Sequence, residues 1–183
     1  MIIFLARLLT FWIPNRKIRT KLRNRICTYC FGRQVLMKAK SIGKSFYCGG
    51  FSKVTSSTIL DDNVSFNGMR VIGKGLVKFG KYFHSGTECL ILSQNHNYDK
   101  GNAIPYDDTN IYKDVEIGDF VWMGSRVTVL PGRKIGEGVI IQAGAVVHGE
   151  IPPYSIIGGN PAKVFKYRDI EHFKKLKAEG KFH

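Results

Sequence analysis

The chain has 183 residues, 44% of them apolar, which fits one globular domain with a sizeable core and excludes a disordered segment. Its 28 basic and 14 acidic residues give a net charge of +14, unevenly placed: no Asp or Glu occurs before Asp61. Such a basic block reads as contact with nucleic acid or an anionic membrane, and no zinc finger or RNA-recognition signature supports the first.

Residues 1–13 are apolar apart from Arg7 and Thr10, too short for a bilayer span of ~20 residues. They lack the basic start and small-residue cleavage site of a signal peptide. Leu5, Leu8, Leu9 and Trp12 share one helical face until Pro14 interrupts. Ile18, Leu22, Ile26 and Tyr29 then form a stripe among Arg16, Lys17, Arg19, Lys21, Arg23 and Arg25. The pattern predicts a basic amphipathic helical segment over residues 1–40. An apolar face edged by cations, with Trp at its margin, suits an anionic membrane surface. That would place the protein in the cytoplasm, peripheral at the inner face of the cell membrane. The alternative is that these helices pack on the end of the next element or against another subunit. Cys27, Cys30, Cys48 and Cys89 form no disulfide framework, and Cys27-x-x-Cys30 lacks a second pair or a nearby histidine for zinc. Unpaired thiols suit a reducing cytoplasm.

From Ile42 the chain keeps a six-residue beat: Ile42, Cys48, Val54, Leu60, Phe66 and Ile72. After one inserted residue it resumes at Phe79, Ser85 and Ile91, and later runs through Ile117, Met123, Val129, Ile135, Ile141 and Val147. Helices repeat near 3.6 residues and strands near 2, so the beat predicts a parallel β-helix with one inward residue per face. At three hexads to a coil, these positions imply about five coils over residues 41–166. Glycine often follows the beat residue, as at Gly43, Gly49, Gly73, Gly80, Gly118, Gly124 and Gly136, where it is expected to turn the corner at positive φ. A second apolar row two residues before the beat includes Val77, Phe83, Val115, Val121, Val127 and Val139.

The beat breaks after Ile91, and residues 93–114 leave it as a protruding loop. Long excursions from a compact solenoid are usually functional. The loop holds one histidine, His96, and imidazole is suited to take a proton from a weak nucleophile such as an alcohol. A base of that kind needs its second ring nitrogen held. Asp99, Asp107, Asp108 or a backbone carbonyl could do so, with Asp99 ranked first. His84, on a coil beside Ser85, is a candidate acceptor-cleft residue, as is Asn95 beside His96. No metal site is expected: His84, His96 and His148 are too scattered to converge on zinc.

Ile117-Gly-Asp-Phe-Val-Trp-Met-Gly-Ser125, Val129-Leu-Pro-Gly132, Ile135-Gly136 and Ile141-Gln-Ala-Gly-Ala-Val-Val147 together form a recognisable set. With the close Ile151-Pro-Pro-Tyr-Ser-Ile-Ile-Gly-Gly-Asn-Pro-Ala-Lys163, this region resembles the hexapeptide-repeat acyltransferases. The similar branch contains the maltose, galactoside, nodulation-factor and polysaccharide O-acetyltransferases, and the likeness covers residues 42–168. It implies an all-β, left-handed parallel β-helix, a homotrimer with sites between subunits, and acetyl-CoA as donor. His96 matches the family's catalytic histidine. Trp122 and Ser125 match its Trp-x-Gly-Ser motif facing the donor groove, Ala143 and Gly144 would let the pantetheine arm approach the backbone, and Pro161 lies in the closing motif. Lys163 and Lys166 align with cations near the nucleotide phosphates. Where relatives often carry Thr-Lys after the last beat, this chain has His148-Gly149, which departs at the adenine side.

Past Tyr167, Asp169 is placed to cap a short helix over 167–183 whose Ile170, Phe173 and Leu176 share a face. The expected activity is acetyl transfer from acetyl-CoA to a sugar hydroxyl in bacterial cell-surface polysaccharide or lipopolysaccharide synthesis, with a sugar or lipid-linked glycan acceptor and no nucleic acid partner. Acetylation of streptogramin-type drugs, or of a sugar amine, is the alternative on the same fold. A non-catalytic trimeric scaffold fits the histidine-bearing loop less well.

Overall fold

The structure, a computed structural model, describes residues 2–183, with side chains from Phe4 onward. Short strands stack into three parallel sheets, each forming one wall of a prism. The first wall runs Ser41–Ile42, Thr58–Leu60, Val77–Phe79, Val115–Ile117 and Lys134–Ile135, extended by a bridge to Ile151. The second runs from Tyr47–Cys48 through Ser65–Phe66, His84–Ser85, Trp122–Met123 and Ile140–Ile141 to Ser155–Gly158. The third joins Met69–Ile72, Cys89–Leu92, Thr128–Val129 and Val146–Val147, with Lys53 bridged to Arg70.

Inward columns follow from this register: Ile42, Leu60, Phe79, Ile117, Ile135 and Ile151; then Cys48, Phe66, Ser85, Met123, Ile141 and Ile157; then Val54, Val71, Ile91, Val129 and Val147. Nearly all are fully buried. Two details correct the sequence expectation. Val71, not Ile72, pairs with Ile91 and fills the third column, so the phase slips by a five-residue step before it and an eight-residue step after it. The winding also has about six rungs instead of five, because Ile151 and Ile157 continue two columns after a four-residue step that breaks the beat.

The glycines after the beat have a different cause from the one expected. Of the seven, only Gly73 has positive φ; the left-handed residues fall mostly three places after a beat, as at Asn63, Tyr82, Phe120, Arg126 and Gly144. A Cβ at Gly80 would stand 2.5 Å from the Gly118 carbonyl carbon, and one at Gly124 would stand 2.6 Å from the Ala143 nitrogen. These glycines let adjacent rungs stack at the ~4.8 Å of a parallel sheet.

Both ends of the prism are covered. Helix α1 spans Ile2–Thr10 and helix α2 spans Arg16–Lys38, capped by the Asn15 side chain, which accepts from Lys17 N and Ile18 N. The buried residues of α2, Cys27, Gly32 and Val35, lie over the first rung, and a Cβ at Gly32 would meet that of Cys48. The Gln34 amide bonds both backbone groups of Val54, donating to its carbonyl at 2.7 Å and accepting from its N–H at 2.6 Å. Gln34 thus stands in for the strand that a further rung would supply. At the other end Lys163–Tyr167 reverses antiparallel along Ser155–Gly158. Helix α3, Ile170–Ala178, follows with Asp169 as its cap and Phe173 buried.

Candidate active site

The loop after Ile91 is an antiparallel hairpin, an arm in which Gln94–His96 pairs with Asn110–Tyr112. Successive side chains on a strand alternate, so His96 and Asn95 occupy opposite faces of the arm, and both are exposed. The tip folds back: the Tyr106 ring stacks on His96, centroids 3.8 Å apart and planes 13° from parallel. No hydrogen bond joins Asp99 to His96 among the described residues, and Asp99 itself is exposed. Asp107 is committed to the tip. Its carboxylate accepts from Asn102 N and from the Thr109 backbone and hydroxyl, and these bonds, the hydroxyl foremost, hold its pKa below the usual carboxylate value. Asn110, directly opposite His96 in the ladder, has a buried Oδ1 with no partner.

On the second wall lies a cleft of about 500 Å³. Its floor holds His84 and Trp122, adjacent rungs in register, with Asn67 and Ser85 beside them. Tyr82 and Phe120 stack in its wall at 5.0 Å and 4°, and Phe173, Phe182 and His183 close it from α3 and the residues beyond. Half-burial pushes the His84 imidazole to lower pKa, aided by nearby His183, whose ring lies 5.7 Å away. Arg168, Lys177 and Lys181 add cations to the lining, which among the described residues holds no Asp or Glu side chain. Two of these cations are tied: Lys177 pairs with Glu137 and Lys181 with Glu179. Aromatic faces with polar tips suit a sugar or another ring-bearing acceptor. His96 is not among the walls of this cleft.

Where the second wall turns into the third, the register lines up Gly86, Gly124 and Gln142, then Thr87, Ser125 and Ala143, with Gly144 one place further on. The Ser125 hydroxyl accepts from Thr87 N at 3.1 Å, and Gly144 N donates to Ser125 O at 2.9 Å. A Cβ on Gly144 would meet nothing within 4 Å, so the backbone there is open. Lys163 is paired with Gly158 beyond the end of these rows, and Lys166 with Ile156 on the second wall. Pro161 is exposed, and the following Ala162 N donates to Val146 O, closing the last rung. Of the residues singled out from sequence, Ser125, Ala143, Gly144 and Lys163 therefore share one corner. Trp122 and His84 share the cleft beside it, and His96 and Asn95 stand apart on the arm. Tyr106 was missed, because its stacking depends on how the tip folds back and not on local pattern.

Comparison with known proteins gives a concordant result. Residues 114–149 match the family model described as bacterial transferase hexapeptide (six repeats). An Escherichia coli K12 protein named for O-acetyl transfer in lipopolysaccharide biosynthesis, WbbJ, is 37% identical over 114 residues, covering 57% of this chain and 58% of its own. A chloramphenicol acetyltransferase of Escherichia coli is 36% identical over 92 residues, 43% of this chain and 44% of the relative. The chain thus spans about half the length of these curated relatives. Among solved structures, the hexapeptide-repeat acetyltransferase VCA0836 of Vibrio cholerae O1 biovar eltor, complexed with acetyl coenzyme A, superposes with a TM-score of 0.61. It is 20% identical, over 90% of this chain and 84% of that one. The fold is the left-handed parallel β-helix.

Proposed function

We propose, for a chain whose residues 114–149 carry the hexapeptide repeats of the bacterial transferase family, that it moves an acetyl group from acetyl-CoA to a sugar hydroxyl. The setting we infer is the building of bacterial cell-surface polysaccharide or lipopolysaccharide. One observation carries the reading: an exposed histidine on a projecting arm, and, on another wall, an aromatic cleft beside a corner of mostly small residues open at Gly144.

The donor supplies an activated thioester. The small-residue corner at Ser125, Ala143 and Gly144 fits a narrow pantetheine chain, since bulk there would block its approach. Lys163 and Lys166 are placed to meet phosphate charge, and Pro161 shapes the closing turn. Trp122 and His84 hold the acceptor ring. His96 takes the proton from the attacking hydroxyl as its oxygen bonds the carbonyl carbon. It then delivers that proton to the sulfur as the carbon–sulfur bond breaks. Since His96 is not among the cleft walls of its own chain, the arm serves the cleft of a neighbouring copy in a homotrimer. Asn95, on the arm's opposite face, would touch acceptor only from that neighbour's side. The kinship with WbbJ favours a sugar or lipid-linked glycan, and lipid-linked saccharides would bring the enzyme to the inner face of the cell membrane.

The similarity to chloramphenicol acetyltransferase favours a second reading, a hydroxyl on a drug. Labelled acetyl-CoA offered with nucleotide-sugars, lipid-linked saccharides, chloramphenicol and a streptogramin separates the two. Acetylation of a saccharide is expected, with His96→Ala slowing it about 10²–10⁴-fold while coenzyme A binding stays intact. A near-normal rate for His96→Ala in assembled trimers contradicts the assignment, and transfer to the drugs alone shifts the reading to the second.

A further inference from the structure

Helix α1 is arranged the reverse of an ordinary surface helix. It packs against α2 and buries its small residues, Ala6 at 0% and Thr10 at 1% exposed, with the Thr10 hydroxyl donating back to Ala6 O. The large apolar side chains Phe4, Leu5, Leu8 and Leu9 stay exposed, followed by Phe11 and by Trp12 at 86%. Along α2, Cys27, Gly32 and Val35 are committed to covering the prism, while Ile18 and Leu22 in its first half, and Tyr29, Leu36 and Met37 further along, remain exposed. Large apolar side chains left exposed in this number mark an interaction site, because leaving them in water forgoes the burial that holds other helices down.

The charge around this surface selects its partner. Arg7 on α1 and Arg16, Lys17, Arg19, Lys21, Arg23 and Arg25 on α2 share these helices with it, and no acidic residue precedes Asp61. Among the described residues none of these seven forms an ion pair. A second copy of the chain would set one basic block against another, which repels. An anionic bilayer supplies both an apolar interior and the opposite charge. We propose that the outer face of α1, with the basic first half of α2, is a docking surface for membranes rich in anionic headgroups.

The nine residues of α1 extend about 13 Å. Among the described residues no helix is long and apolar enough to cross a membrane. α1 therefore lies in the interface plane, its leucines entering the acyl boundary, with Trp12 at the headgroup level favoured by indole. The surface stands on its own geometry and does not depend on the reaction proposed above.

Flotation of the full chain with vesicles tests it, comparing phosphatidylcholine alone with an equal mixture of phosphatidylcholine and phosphatidylglycerol. The expected result is about tenfold more protein on the anionic vesicles, falling as salt is raised. The Leu9→Glu, Trp12→Glu double variant should lose that binding, while its sedimentation coefficient and coenzyme A affinity stay those of the parent. Arg16→Gln with Lys17→Gln should weaken it more at low salt than at high. Equal flotation on both vesicle types, no flotation of the parent, or undiminished flotation of the double variant each overturns the proposal. So does a change of oligomeric state in the double variant, which would make the face a contact between copies. Unchanged coenzyme A binding throughout keeps any such failure separate from that of the acetyltransferase reading.

Discussion

His96 and His84 sit in contrasting environments. The His96 ring is fixed from one side by the Tyr106 face and is otherwise exposed on the arm, beside the unpartnered buried oxygen of Asn110. His84 is half-buried between Trp122 and His183, and that burial lowers its pKa from an ordinary 6.5. A group whose pKa falls on folding binds protons more readily when unfolded, so acid favours unfolding. Its neutral form costs the folded state nothing above the unfolded pKa, and the penalty grows as pH drops below ~6.5 toward the folded value. His84→Gln should therefore flatten the loss of thermal stability between about pH 7 and pH 5. Melting temperatures of both proteins across that range check it, and parallel slopes would contradict it. Sequence placed both histidines where chemistry is expected. It ranked Asp99 as the partner of His96; among the described residues no hydrogen bond joins the two, and the Tyr106 ring lies against the imidazole.

Among the elements, the solenoid was the most legible, because the apolar columns repeat wherever the step is six. Ile72 was misplaced since Val71 and Ile72 are both β-branched and apolar, and only the pairing with Ile91 and Leu92 distinguishes inside from outside. The sixth rung escaped because a four-residue step leads into Ile151. The role of α2 was less visible still. Its stripe of Ile18, Leu22, Ile26 and Tyr29 suits a membrane surface or, as the alternative, a packed end, yet the residues that cover the prism are Cys27, Gly32 and Val35. Small residues permit that approach, and a hydrophobicity pattern does not mark them. Gln34 makes the cover specific. Gln34→Ala would leave the Val54 N–H and carbonyl without partners, at about 1–3 kcal/mol for each group that stays dry. A drop of several degrees in melting temperature is expected for a domain of this size. No change would mean that water replaces the amide at no cost.

For the whole molecule, the projecting arm and the aromatic cleft stand apart, His96 lying outside the cleft walls. The winding ejects the arm at the corner after Ile91, and it returns at Val115 to pair with Val77 on the first wall. The cleft lies on the second wall under α3; sequence singled out His84 and Trp122 there, but not the aromatic walls of Tyr82, Phe120, Phe173 and Phe182. The corner of small residues was found only through its likeness to a known family, since Ser125 and Gly144 are ordinary turn residues in isolation. That arm and cleft meet between copies is the central claim, and mixed trimers test it most directly. His96→Ala chains carry an intact cleft, and Trp122→Ala chains carry an intact arm. Neither should acetylate alone. Unfolded together and reassembled in equal parts, they should recover about a quarter of the parental sites, because a cyclic interface pairs each arm with the next chain's cleft. Mixed trimers that assemble yet stay as inactive as either variant alone would show that each chain completes its own site, and would contradict the account.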